Sequence, residues 1–172
     1  LYYIRIIEDI TERKQAREAM IRERVLLRTI IDAIPDHIYA KDKAGLFMLA
    51  NKGWLEARSV INTNIAGKTT HDFFRPRLAE MLAAQDREIV QTGNPIPTFE
   101  HKMPVKRRDG KPAMVGWGST IKVPMRTAAG EIIGTVGISR DITDEKAAET
   151  RQAMEHTVTR VLAEAVTVSE AM

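Results

Sequence analysis

No cysteine occurs among the 172 residues. That absence excludes disulfides, thiolate nucleophiles and cysteine-ligated zinc, and it fits a reducing compartment, so a cytoplasmic protein is expected. No apolar run approaches the roughly 20 residues that span a bilayer, and no signal segment opens the chain, so direct membrane insertion is not expected. Charge of one sign is also scarce. Lys and Arg number 26 against 23 Asp and Glu, a formal +3 that is mixed along the chain, and such a balance predicts no nucleic-acid partner. The densest basic patch, Lys102, Lys106, Arg107, Arg108 and Lys111 broken by Asp109, reads as a solvated hairpin, with a phosphate or anion contact as the alternative. Activated-serine motifs and a GxxxxGK[ST] phosphate loop are missing, so no catalytic residue and no metal site is assigned.

With 44% hydrophobic residues the chain can build one ordinary core. Its first residue is Leu1 and it stops at Met172 inside a helical pattern, which reads as a piece of a longer protein. One boundary device occurs twice. Ile6-Ile7-Glu8-Asp9-Ile10-Thr11-Glu12 and Ile138-Ser139-Arg140-Asp141-Ile142-Thr143-Asp144 both pass from a β-like run through Asp-Ile-Thr into a charged helix. The repeat suggests tandem modules. Four parts follow: residues 1–10 as the tail strand of a preceding domain, 11–34 as a linker helix, 35–142 as the main domain, and 143–172 as a signalling or coiled-coil helix.

Inside the main domain, His37 to Lys41 and Leu46 to Ala50 flank a hairpin signal at Asp42-Lys43-Ala44-Gly45. Asn51 opens a short helical segment containing Trp54. Pro76 to Thr92 is the clearest internal helix, begun by proline and ended by Gly93. Strands are expected over Pro97 to Lys106, Lys111 to Val123 and Glu131 to Arg140. Helices inserted after the second of five strands pack on one sheet face, and the flanking helices are available to cover the other. In the last segment Ala147, Met154, Val158, Val161, Ala165, Val168 and Met172 keep a heptad-like spacing, with Arg151 as the charged exception. That stripe predicts helix pairing across a homodimer; packing on the domain's own sheet is the alternative.

These motifs, in this order, resemble the PAS superfamily with its C-terminal PAC portion. Ile34 to Asp42 looks like the family's opening strand, Gly45 to Asn51 its second strand and the Asn that opens the first inner helix. Arg107-Arg108-Asp109-Gly110 resembles the basic hairpin, and Gly137 to Thr143 the closing strand with its Asp-Ile-Thr exit. The resemblance covers about residues 30–146. It implies an α+β fold, a five-stranded antiparallel sheet with short helices on one face and a helix at each end. It further implies a sensory and dimerisation module of a multidomain bacterial signalling protein, beside another PAS domain and an effector such as a histidine kinase or diguanylate cyclase. A constitutive interaction module without a ligand is the alternative. No cofactor is assigned: the flavin-binding light sensors carry an Asn-Cys-Arg-Phe-Leu-Gln motif that this chain lacks. The haem members place a histidine in the long inner helix, and none lies between Pro76 and Gly93.

An unknown small ligand stays open. His101 and Trp117, on neighbouring strands, would orient one if both point toward the helices, with Tyr39, Phe73, Phe74, Met103 and Met114 as further pocket candidates; core packing is the plainer reading. Asp141 and Thr143 form the expected signal junction, joining the last strand to the exit helix.

Overall fold

In a computed structural model, which describes residues 11–60, 64–105 and 114–170 with side chains through residue 160, the chain begins with helix α1, Thr11–Ala33. Its Ala, Arg, Glu and Leu content favours a helix, and Pro35 forbids its continuation. Strands β1 (His37–Asp42) and β2 (Phe47–Ala50) form the expected hairpin. Asp42 fastens the turn, its Oδ1 accepting from the N–H groups of Ala44 and Leu46 at 2.9 Å. Helix α2 (Lys52–Ala57) follows, capped by Asn51, then a 3-10 turn over Thr70–Asp72 and helix α3, Pro76–Thr92. Gly93 closes α3 in the left-handed conformation at φ 72°, its N–H donating to Ile89 O, a role glycine fills without a Cβ penalty.

Strands β3 (Ile96–Val105), β4 (Met114–Arg126) and β5 (Ile132–Asp141) complete an antiparallel sheet of order β2-β1-β5-β4-β3. Helix α4 spans Thr143–Glu170. The expected sheet, with its helices inserted after the second strand, is therefore present. The proposed tail strand over residues 1–10 and the Arg107-Arg108-Asp109-Gly110 hairpin lie outside the described residues.

The apolar core is small and aromatic. Phe47 meets Trp54 at 5.1 Å between ring centroids and Phe73 at 5.4 Å, edge to face, and Trp54 meets Phe73 at 5.0 Å. Such tilted arrangements place a ring's positive edge on its neighbour's negative face. Tyr39, Ala50 and Ile65 extend this cluster beneath α2 and the 3-10 turn.

The sheet's inward phase is mostly polar. His37, Tyr39 and Lys41 of β1 lie opposite Ser139, Gly137 and Thr135 of β5, and Thr120 and Lys122 of β4 continue that layer. All of these are buried, with less than 9% of their surface exposed. The apolar phase faces outward: Ile121, Val123 and Ile138 keep 37–41% of their surface exposed. The flanking helices thus leave these outward side chains open; α1 docks on α2, and the start of α4 on β4.

Candidate functional site

Three side chains meet where β1, β4 and α3 converge. Lys41 Nζ lies 2.6 Å from Asp86 Oδ2, and Lys122 Nζ lies 2.7 Å from Asp86 Oδ1. Lys41 also donates to Thr70 Oγ1 at 2.5 Å, and Lys122 to Leu82 O at 2.8 Å. Asp86 reaches the sheet because it shares a helix face with Ala79, Leu82 and Ile89, one to two turns apart. Burial lowers the pKa of both ammonium groups, Lys122 to about 8, while Asp86 opposes the shift. Two cations share one carboxylate.

Arg58, just past the end of α2, supplies a third cation. Its guanidinium lies over Trp54 at 4.2 Å and Phe74 at 4.8 Å, and Nη1 donates to Trp54 O at 3.2 Å. Tyr39 feels both Asp86 and Arg58, and His101 feels both Lys122 and Arg58, so these two side chains bridge the two charge centres. Burial, then Arg58, holds His37 down at about 4, against the opposing pull of Asp141 and Asp36. Burial lowers His101 as well.

Of the residues expected around a pocket, the structure places Tyr39, Phe73, Phe74, His101 and Met103 between sheet and helices. Tyr39 and Met103 are buried, Phe73 and Phe74 pack against the aromatic core, and His101 stacks on Phe99 at 5.1 Å. Two expectations are corrected. Trp117 pairs with Lys102 in register, one residue out of phase with His101 and Gly118, so it lies on the outer face, where the Lys102 ammonium sits 4.0 Å from its ring centroid. Strand alternation puts His101 and Lys102, and hence their partners Gly118 and Trp117, on opposite faces. Met114 starts β4 with 42% of its surface exposed. It lines a separate groove of about 1020 Å³ with Pro35, Asp36 and Asp141.

The residues missed in sequence are the charged ones, Lys41, Arg58, Asp86 and Lys122. A signal existed for Asp86, an acid four residues after Leu82 and three before Ile89 on the apolar stripe of α3.

The junction residues form a tight clamp. Asp141 Oδ1 accepts from Thr143 N at 2.9 Å, Ile142 N donates to Trp117 O at 2.9 Å, and Trp117 N donates to Thr143 Oγ1 at 2.9 Å. The first turn of α4 is thereby stitched to β4. Lys146 Nζ adds an ion pair to Glu100 Oε2 at 2.8 Å. At the other end, Asn51 Nδ2 donates to the carbonyls of Ile31, Ile34 and Asp36 at 2.8–3.2 Å, and its Oδ1 accepts from Ile38 N and Trp54 N at 3.0 Å. Arg140 on β5 reaches Asp36 Oδ2 at 3.1 Å, so the entry and exit connections touch.

Residues 31–147, from the end of α1 to the first turn of α4, match the sequence model of the family described as the PAS fold. The chain belongs to the PAS fold family. Among curated relatives, this PAS chain is 29% identical over 140 residues to the methanogenesis regulatory histidine kinase FilI of Methanothrix harundinacea, covering 81% of the chain and 15% of FilI. A diguanylate cyclase of Vibrio cholerae is 27% identical over 117 residues, 67% of the chain and 35% of that protein. The chain thus spans about a third or less of these relatives. The fold is shared with VqmA, solved bound to DPO (TM-score 0.58, 23% identity, 73% of this chain and 60% of that one). It is also shared with the Vibrio cholerae VqmA dimer (TM-score 0.57, 24% identity, 70% and 53%). Likeness to sensor proteins of several domains supports a sensory, signal-relaying role for this PAS module as part of a larger protein. Among the described residues no helix is long and apolar enough to cross a membrane.

Proposed function

We propose that this PAS domain is the non-catalytic sensory part of a cytoplasmic signalling protein and that it passes its state to α4 through Arg140, Asp141 and Thr143. The observation that carries this reading is the stitch of Thr143 to Trp117 on β4 together with the Arg140–Asp36 pair. A shift of β4 against β5 has to move the first turn of α4, because two backbone groups of Trp117 are bonded to residues 142 and 143. A helix moved at its root repacks against a partner helix, which is how a small change in a sheet becomes an output. Substituting Thr143→Ala or Arg140→Ala in the full-length protein should change basal output or signal-dependent amplitude. If both stay unchanged in both variants, the relay is elsewhere.

Dimerisation belongs to the same reading. Met20, Ile21, Val25, Leu26, Leu27 and Ile30 on α1 are 49–72% exposed, and Met154 and Val158 on α4 are 63% and 56% exposed. An apolar stripe of this extent on a helix favours burial against a second copy. Val161, Ala165, Val168 and Met172 of the heptad lie outside the described side chains. The purified chain should sediment as a dimer, and Leu27→Glu with Ile30→Glu should shift it to monomer; a wild-type monomer at high concentration counts against it.

A further inference from the structure

Between the sheet and the helices, positive charge exceeds negative. Lys41, Lys122 and Arg58 contribute three cations, and Asp86 is the carboxylate that the two lysines face. The Lys41–Asp86–Lys122 group is internally bonded on both carboxylate oxygens. Arg58 is not: among the described residues no carboxylate pairs with it, and its Nε is shut off from solvent with no hydrogen-bond acceptor. The aromatic faces of Trp54 and Phe74 stabilise the charge but accept nothing from the in-plane N–H. A buried donor left unpaired costs on the order of 1–3 kcal/mol, and a buried charge costs more unless paired.

Arg58 has company. His37 Nδ1, His101 Nδ1, Thr135 Oγ1 and Trp54 Nε1 are likewise cut off from water and unpaired among the described residues. His37, His101 and Thr135 all belong to the sheet's inward phase, and Trp54 lies under Arg58. Buried unpaired polar atoms are rare in native folds, and each calls for a partner such as a water, an ion or a bound molecule. Access exists too. A cleft of about 370 Å³ is lined by Arg58, Lys68, Val60 and Phe73. Asp72 shares that cleft, but its Oδ2 is taken by Thr69 N and Oγ1, each at 2.7 Å.

We propose that this site binds a small organic carboxylate, its two oxygens on the Arg58 Nε edge and its body in the cleft against Phe73 and Val60. With Nη1 held by Trp54 O, the Nε side is the free edge of the guanidinium fork, and side-on bidentate pairing with a carboxylate is the geometry that edge is built for. Phosphate matches the charge but not the apolar wall that Phe73 and Val60 give the cleft. This assignment rests on the sensory reading above and adds the chemistry of its ligand.

The test is a set of matched probes on the full 172-residue chain at constant ionic strength. Acetate, pyruvate, succinate and benzoate are titrated beside acetamide and benzamide, with inorganic phosphate as a further arm, and both melting temperature and heat of binding are followed. At least one carboxylate should bind saturably and raise the melting temperature, and its amide should bind at least tenfold more weakly. Arg58→Gln should remove that preference. Arg58→Lys, which keeps the charge and loses the fork, should weaken binding about tenfold and serves if the glutamine variant does not fold. Equal binding of carboxylate and amide, binding unchanged in both Arg58 variants, phosphate preferred over every carboxylate, or no binding by any probe overturns the assignment. The outcomes separate from those of the relay: unchanged output in the Thr143 and Arg140 variants, with carboxylate binding through Arg58 intact, removes the relay and leaves the site.

Discussion

Asp86 on α3 lies 2.6 Å from Lys41 on β1, a contact between residues 45 apart in sequence that both lie out of reach of water. The second oxygen of Asp86 holds Lys122 at 2.7 Å, so one carboxylate ties the long helix to two strands.

Removing that carboxylate leaves two buried ammonium groups without a counter-charge. Asp86→Ala should cost about 3–5 kcal/mol, the range for breaking a buried ion pair from one side. Replacing all three, Lys41→Met with Asp86→Leu and Lys122→Met, should recover most of the loss, because the desolvation penalty disappears with the charges. Urea denaturation of both variants decides it. A loss under about 1 kcal/mol in Asp86→Ala would mean that the lysines find other partners.

Asn51 joins α1, β1 and α2 through five hydrogen bonds from one side chain. Asn51→Ala should destabilise the domain by about 3 kcal/mol, given roughly 0.5–1.5 kcal/mol for each bond and partial rescue by water. Asn51→Asp keeps the two acceptor bonds and loses the three donor bonds to Ile31, Ile34 and Asp36. It should therefore loosen the end of α1 selectively. Hydrogen exchange should accelerate over residues 28–36 more than in β4 and β5; uniform acceleration would contradict a selective hinge.

Acid should destabilise the fold through His37. Burial, reinforced by Arg58, holds its folded pKa at about 4, while Asp141 and Asp36 pull the other way; the unfolded imidazole titrates near 6.5. Between these values the unfolded chain binds a proton that the folded chain refuses, so stability falls as pH drops from about 6.5 to 4. The full effect is on the order of 3 kcal/mol. His101, also lowered by burial, adds in the same direction. His37→Gln should flatten the curve over that window, and an unaltered slope would assign the proton to another group.

Gly137 and Gly118 test how closely the sheet is covered. A Cβ at Gly137 would enter the Tyr39 ring, and one at Gly118 would enter the Met103 thioether. A buried ring cannot retreat, whereas methionine re-packs through three rotatable bonds. Gly137→Ala should cost about 2–3 kcal/mol and Gly118→Ala about 1 kcal/mol or less by thermal melts. The reverse order would locate the tight contact at Met103.

Much of this fold is legible from local signals. Pro76 and Gly93 bracket α3, Asp42 to Gly45 turn the first hairpin, and Asp141 to Thr143 mark the root of α4. Each depends on backbone geometry set within a few residues, so propensity and capping chemistry suffice. The inward phase of the strands was not legible in this way. His37-Ile38-Tyr39-Ala40-Lys41 alternates, and the usual rule sends Ile38 and Ala40 inward, yet the fold buries His37, Tyr39 and Lys41. Only a partner distant in sequence makes that arrangement favourable: Lys41 and Lys122 meet Asp86 across 45 and 36 residues. The sequence by itself therefore determined the order of elements and the exit motif. The tertiary structure decided which side of the sheet is inside, and with it the site, because burying a charge is tolerable only where chain topology delivers its counter-charge.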